Sequence, residues 1–549
     1  MAHNDKHSGI PFRFRRGASI GELDAESDDA YLSTCFVETG DYQILSDIGN
    51  SHRIIVGRTG AGKSALIRQL MQSEENVIEI LPENLSLNYI SNSDLISTLE
   101  RSGVKLDLFY TLLWKHVFAT ELLRAKFNLL NEEKTKNWFI NFLDQITRRD
   151  KNKERALTYL RDWGEKFWQE TEYRVKEVTQ KLETDIKDQL GATLAGLSLS
   201  ANSEQKLTEA KTVEVVHKAQ KIVNDIKLKA LSDVMGFLAD DVFNDTQQRY
   251  YIVIDKLDEN WVDNDLRYRL IRALIETVKD YRKVPSVKII VALRLDLLQS
   301  VFEKTRDAGF QEEKYESLLL HLSWSKERLE SLLDERIDKL VREQYTSSAI
   351  KLRTLFPSTI GKETFVDYLF NRTLLRPRDA IAFINECIKR SDGLNQVTVQ
   401  TVREAEREYS ALRVASLEHE WFVQFPKLKC YLRLLERMPI EFRLSSLSKE
   451  KIDSFVIDEA CDGERDSDPV IRAAFKYLDR GQDNHHSFVI ELIKAFYRIG
   501  VVGIKPDGFT GQLWSFKSER APSDGQIKPS SIIFVHPMVW GNLGCIIKK

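Results

Sequence analysis

The stretch Gly57-Arg58-Thr59-Gly60-Ala61-Gly62-Lys63-Ser64 brings together the residue types that phosphate binding requires, at the spacing it requires. Glycines let the backbone wrap so that consecutive N–H groups point at one anionic centre. Lys63 adds a full charge, and the Ser64 hydroxyl is a hard ligand for Mg²⁺. The loop must sit between a strand and a helix to work. Ile54-Ile55-Val56 before it reads as a short buried strand, and Ala65 to Leu70 after it as the first turns of a helix. A helix N-terminus there would add its positive dipole. The expectation is a nucleoside triphosphate held by residues 57–65.

A second carboxylate-bearing strand end is needed to complete a metal site. Tyr250-Tyr251-Ile252-Val253-Ile254 is a buried strand by composition, and Asp255 ends it. Asp255 can hold the Mg²⁺ shell beside Ser64. Many P-loop ATPases place a water-activating carboxylate directly after the metal aspartate, but here that residue is Lys256, which displaces the role to Asp258 or Glu259. The guanine-specificity element Asn/Thr-Lys-x-Asp is absent, which favours ATP over GTP.

The run Ile254-Asp255-Lys256-Leu257-Asp258-Glu259 resembles the extended Walker B motif of STAND-class NTPases, the NACHT and KAP groups in particular. That resemblance covers roughly residues 35–125 and 246–425 and implies an AAA+-type core. On it, Ile289 to Leu293 is similar to the fourth AAA+-type strand, and Arg294 at its end to a sensor of the γ-phosphate. Arg376-Pro377-Arg378-Asp379-Ala380 is similar to the sensor-2 region of a helical lid, with Arg376 or Arg378 reaching the nucleotide. Surface or salt-bridge roles for these arginines remain open. The chain also resembles bacterial P-loop ATPases that accompany phage-defence genes.

The elements that must position these residues follow from the patterning. Val77 to Leu81, Val287 to Leu293 and Leu318 to Leu322 read as further buried strands, and Leu266 to Tyr281 as an amphipathic helix. Strands alternating with helices imply an α/β fold with a doubly wound parallel sheet. The domain reading is a flexible arm over 1–34, a P-loop core over 35–129 and 246–325, an inserted helical hairpin over 130–245, a helical lid over 326–425, and a winged-helix-like module over 426–549. In the insertion, Val175, Val178, Leu182 and Ile186, and then Val216, Ala219, Val223, Ile226 and Ala230, form narrow apolar stripes. The C-terminal module is read from a helix at Phe488–Ile499 and strands at Val501–Ile504, Gln512–Phe516 and Ser531–His536.

Composition bounds the function classes. At 549 residues the chain exceeds one core. Lys and Arg total 80 against 83 Asp and Glu, a net charge of −3, which disfavours a chain that coats nucleic acid or an anionic membrane. Five cysteines without a CxxC pair, and a polar N-terminus without an apolar signal core, suggest a cytoplasmic protein with reduced thiols. The resulting expectation is an ATP- and Mg²⁺-dependent hydrolase acting as a switch, a homo-oligomer that controls assembly or a separate effector. Two alternatives stay open: an SMC-like DNA-organising ATPase, which would need a Leu-Ser-Gly-Gly signature absent here, and an ATP-bound scaffold without turnover. The candidate helix Phe488–Ile499 carries only Lys494 and Arg498 as cations, too few for strong DNA binding, so the module is expected to contact protein. Trp514 and Trp540 are either the exposed anchors of that contact or core residues.

Overall fold

Apolar runs three to eight residues long, mostly rich in β-branched residues, build the central sheet. Its strands are β1 (Ile54–Gly57), β2 (Val77–Ile80), β3 (Tyr250–Ile254), β4 (Val287–Arg294) and β5 (Leu319–His321), in the spatial order β2-β3-β4-β1-β5. All four pairings are parallel. Parallel strands need covered faces, and β3 and β4 are accordingly buried along nearly their whole length. The computed structural model describes residues 12–85, 104–127, 228–259, 261–306, 311–342, 349–462, 468–480, 485–517 and 521–547, with scattered positions between 96 and 188.

The chain divides into two packing units. The first comprises Met1–Val37, Thr59–Gly62 and Ser323–Lys549, and the second Glu38–Arg58 and Lys63–Leu322. In the second unit the helices Asp107–Lys126 and Asn264–Asp280 pack with the sheet in one core. Helix Asp107–Lys126 is apolar on nearly every side and correspondingly buried. The Trp114 indole donates to the Leu270 carbonyl at 2.9 Å, tying the two helices together. The Asp263 side chain caps the second helix by accepting from the Asp265 amide. Most of the insertion expected over 130–245 lies outside the described residues. Within it, Leu143, Leu160 and Ile186 are buried in this core, and helix Leu228–Phe237 runs into a π-helical turn at Leu238–Val242.

A cation is built into the same unit. Lys288 of β4 is fully buried, and its ammonium donates to the carbonyls of Ile44 at 2.8 Å and Asp47 at 2.7 Å. These close the C-terminal end of the short helix Asp41–Ser46, where positive charge is favoured. Tyr251 Oη donates to Ser46 O at 2.5 Å in the same place. Burial lowers the Lys288 ammonium to about 7, Arg53 pushes it the same way, and Asp47 opposes both. An unfolded lysine titrates near 10.4. Between these values the unfolded chain binds a proton that the folded chain has released, so stability rises with pH across that window. The unfolding free energy of the parent relative to Lys288→Met is therefore expected to increase from pH 7 to 9, by on the order of 1 kcal/mol per pH unit. A pH-independent difference in urea titrations would show that Lys288 keeps its proton.

The first unit holds helices Lys326–Arg342, Pro377–Lys389 and Val399–Glu420, then Lys449–Asp462, Pro469–Arg480 and His485–Ile499. A two-stranded hairpin, β6 (Thr359–Ile360) and β7 (Glu363–Thr364), precedes a three-stranded antiparallel sheet. The latter is β8 (Glu441–Arg443), β9 (Val502–Lys505) and β10 (Ile532–Val535), in the order β8-β10-β9.

Three expectations are corrected here. The flexible arm over 1–34 is packed from Phe12 onward: Phe12, Phe14 and Ile20 are fully buried in the core of the first unit. The Phe14 amide donates to Leu394 O, and the Gly393 amide to Phe14 O, so the segment is hydrogen-bonded to the turn at Gly393–Leu394 rather than to solvent. The boundary between a lid at 326–425 and a module at 426–549 does not separate two cores, because Phe425, Leu428 and Tyr431 lie in the same cluster as Leu333 and Ile533. The strand expected over Gln512–Phe516 reduces to a single bridge between Leu513 and Ile504. Trp514 lies across Gly503, where a Cβ would stand 2.5 Å from the indole. Trp514 is accordingly buried, and the part-buried Trp540 donates its indole N–H to Val535 O at 2.7 Å, so neither is an exposed anchor.

Candidate nucleotide-binding site

Parallel register carries three site residues to the C-terminal edge of the sheet. Gly57 pairs with Arg294 across β1 and β4, and Ile254 pairs with Val291 across β3 and β4, which puts Asp255 just past that edge. Ligands of open α/β sheets bind at such strand ends. Ser64 Oγ donates to Asp255 Oδ2 at 2.6 Å, bringing together residues 191 apart in sequence. The other carboxylate oxygen of Asp255 accepts from the Lys256 amide at 2.8 Å. That bond is made possible by a left-handed Lys256, φ 61°, a conformation that costs a side-chain-bearing residue about 1 kcal/mol.

Lys63 opens the helix Lys63–Ser73 and folds back over the loop, donating to the Gly57 carbonyl at 3.1 Å and the Arg58 carbonyl at 3.2 Å. Burial pushes its ammonium down, with Asp255 and then Asp258 opposing. Burial raises the Asp255 carboxyl, against the hydrogen bonds from Ser64 and Lys256 and the charge of Lys63. Ala65 follows on the same helix.

The displaced carboxylates occupy distinct surroundings. The turn after Asp255 is fixed by Arg267, almost wholly buried, which donates to the carbonyls of Asp258 at 3.2 Å and Glu259 at 3.0 Å. Asp258 Oδ2 accepts from Arg294 Nη1 at 3.3 Å. Arg294 also grips Asp296 in a two-pronged pair, at 3.0 Å from Nε and 2.9 Å from Nη2. Both Asp258 and Arg294 act electrostatically on Lys63. Glu259 instead lines a cleft of about 70 Å³ with Leu81, Pro82, Glu83, Lys256 and Trp261. Partial desolvation lifts its carboxyl; Lys256 opposes this, while Asp258 and Glu83 reinforce it.

Within the first unit, the loop tip Thr59–Gly62 is held by residues that follow the last sheet strand in the chain. Arg376 Nη1 donates to Thr59 O at 2.7 Å. The Arg378 amide donates to Gly60 O at 3.4 Å, and Trp324 Nε1 to Ala61 O at 2.8 Å. Gly60 is required twice over: its φ is 76°, and a Cβ there would meet Arg378 Cβ at 2.6 Å. Gly62 is also left-handed, at φ 98°.

The two arginines differ in how far they are committed. Arg376 is buried in a network with Asp379 (3.0 Å) and Glu420 (3.1 Å), which Arg413 joins at 3.3 Å and 3.0 Å respectively. Burial opposes its charge, but Asp379 and Glu420 outweigh burial and raise its pKa further. The Arg378 guanidinium donates from Nε to Leu23 O at 2.9 Å, and burial lowers its pKa. Sequence reasoning gave no role to Trp324, Arg413 or Glu420, and none to Asp379 beyond its place in the Arg376–Ala380 run. An aromatic N–H donor three residues beyond β5 was the available signal for the first.

Among the described residues there is no cluster of three or more metal-ligating side chains and no helix long and apolar enough to cross a membrane. The hard oxygens of Ser64 and Asp255 are a donor pair suited to Mg²⁺. A five-stranded parallel sheet, with this loop leaving one strand and the loop serine bonded to the carboxylate that ends another, fits an α/β P-loop NTPase core. A family model described as the FunZ-associated C-terminal helical domain matches residues 327–418. A curated protein of Escherichia coli (strain K12), "Putative transposon gamma-delta 80.3 kDa protein", is 20% identical over 541 residues, spanning 95% of this chain. This chain spans only 66% of that relative's length. Among solved structures, the ORC2 protein of Aeropyrum pernix, in ADPNP–ADP complexes, is similar at 12% identity and a TM-score of 0.33, over 92% of this chain and 90% of that one.

Proposed function

We propose that this chain binds MgATP through residues 57–65 and hydrolyses it, using the nucleotide state as a conformational switch. The observation that carries the reading is the 2.6 Å contact between Ser64 and Asp255, which joins the loop hydroxyl to a carboxylate at the end of β3. Ser64 and Asp255 would hold Mg²⁺, which supplies neutralisation of phosphate charge. Lys63 would contact the phosphates. Asp258 would orient the attacking water, because it shares the electrostatic surroundings of Lys63 and is steadied by Arg294. Arg294 then acts on Asp258 and reads the γ-phosphate through it. Arg376 would set the loop rather than touch the nucleotide, and Arg378 lies along Gly60. From the resemblance to STAND-class ATPases we carry the further reading that the switch gates homo-oligomer assembly or a separate effector in the cytoplasm of a bacterium defending against phage.

Asp258→Asn is expected to lower kcat by about 10²-fold or more while MgATP still binds, the loss typical of a positioned acid–base group. Glu259→Gln is expected to keep a rate within a few-fold of the parent, since Glu259 faces the cleft. Steady-state phosphate release and calorimetric titration separate the two effects. A parent-like rate in Asp258→Asn with an inactive Glu259→Gln would exchange the roles, and parent-like rates in both would place the group elsewhere.

A further inference from the structure

The loop tip is gripped from outside by three donors on three consecutive carbonyls: Arg376 on Thr59, the Arg378 amide on Gly60, and Trp324 on Ala61. A trans peptide is planar, so the carbonyl of one residue and the N–H of the next point in opposite directions. Holding the Thr59, Gly60 and Ala61 carbonyls outward therefore turns the N–H groups of Gly60, Ala61 and Gly62 the other way, into the concavity of the loop. That is the orientation an anion needs. The two left-handed glycines make this wrap accessible, and the donors select it.

We propose that Trp324 is a positioning residue for the phosphate loop, aiming the Gly62 amide through its bond to Ala61 while Arg376 aims the Gly60 amide through Thr59. Trp324 is suited to the task. Its indole has one donor and no acceptor, so it can hold a carbonyl and nothing else in the loop. The ring also lies in van der Waals range of Gly62, with Cζ2 3.8 Å from where a Cβ would stand. It is part-buried against the core of the first unit, which fixes the ring while leaving one edge for the loop. Arg376 is immobilised by Asp379, which takes Nε and Nη2, and by Glu420, so Nη1, shared between Glu420 and Thr59, meets the loop from a rigid base. The inference rests on the MgATP reading above.

The test compares the full-length parent with Trp324→Phe, which keeps the ring and removes the N–H. Isothermal titration with MgATP is expected to show about fivefold weaker binding, the loss of one hydrogen bond. The melting temperature of the nucleotide-free protein should fall by no more than a few degrees, the worth of one bond, whereas a purely structural role would lower it further and spare the affinity. A parent that binds MgATP and a Trp324→Phe variant of equal affinity would overturn the clamp and leave the nucleotide reading standing. A parent that fails to bind MgATP would sink both. Should the variant not fold, the parent decides alone. Oxidation of its tryptophans by N-bromosuccinimide, mapped by peptide mass spectrometry, should slow at Trp324 when MgATP is present. An unchanged rate at Trp324 would overturn the proposal.

Discussion

Lys63→Ala is expected to weaken MgATP binding by roughly 10- to 100-fold, the worth of a charge-assisted hydrogen bond to phosphate of about 1.5–3 kcal/mol. Phosphate release should fall below detection, because the same contact neutralises charge on the reacting group. The fold should survive. The Lys63 ammonium is held below its ordinary pKa by burial, and among the described residues its hydrogen bonds return to the Gly57 and Arg58 carbonyls of its own loop. Calorimetric titration and a coupled phosphate assay, run beside a thermal melt, read all three quantities. Hydrolysis at the parent rate in Lys63→Ala would remove the assignment of the loop as a nucleotide site.

Asp379→Ala is expected to be the most destabilising single change in the first unit. Asp379 is fully buried between Arg376 and Arg413, and it also accepts from the Leu374 amide at 3.1 Å. Deleting it leaves two guanidinium groups buried with Glu420 as their only shared carboxylate among the described residues. Breaking a buried pair from one side typically costs about 3–5 kcal/mol. Burial works against the Asp379 charge, but Arg376 and Arg413 outweigh it and hold the carboxyl at about 2. This depressed value means that its contribution is complete above the unfolded carboxylate range near 3.9 and is lost only as pH falls through about 2. Urea unfolding should therefore show the full gap between parent and variant at pH 7 and still most of it at pH 4. A gap below about 1 kcal/mol, the range of exposed pairs, would mean the network is solvated.

Much of the central sheet was legible because its strands are short apolar runs bounded by polar residues. Tyr250 to Ile254 and Val287 to Leu293 could be read almost to the residue. The loop declared itself by type and spacing. What could not be read lies in contacts between distant segments. Phe12-Arg13-Phe14-Arg15 alternates apolar and charged residues, yet three arginines within five residues mask it as a polar arm. Only the partner at Gly393–Leu394 reveals it as packed structure. β8 is missed for a related reason: Glu441-Phe442-Arg443 has one apolar residue, and its pairing with β10 decides its state. The arginines illustrate the limit at the site. Sequence names Arg294 and Arg376 as cations near the loop, but whether they face phosphate or carboxylate depends on Asp258, Asp296, Asp379 and Glu420.

The packed N-terminal segment also governs how this chain comes to be folded. Arg336 binds the Ile20 carbonyl and Asp28 across separations of 316 and 308 residues, and Asn385 accepts from the Ile20 amide 365 residues away. Loops of that length are entropically costly to close and slow to find. At about 5–20 residues per second, a ribosome needs roughly 15–60 s to make the intervening chain. During that time Phe12, Phe14 and Ile20 have no mate. The sheet-bearing unit has all of its residues in hand once Leu322 is made and is free to assemble first. A segment made before its partners is thus among the last of its unit to be seated, and loss of the partners around Arg336, Asn385 and Leu394 would strand three apolar side chains.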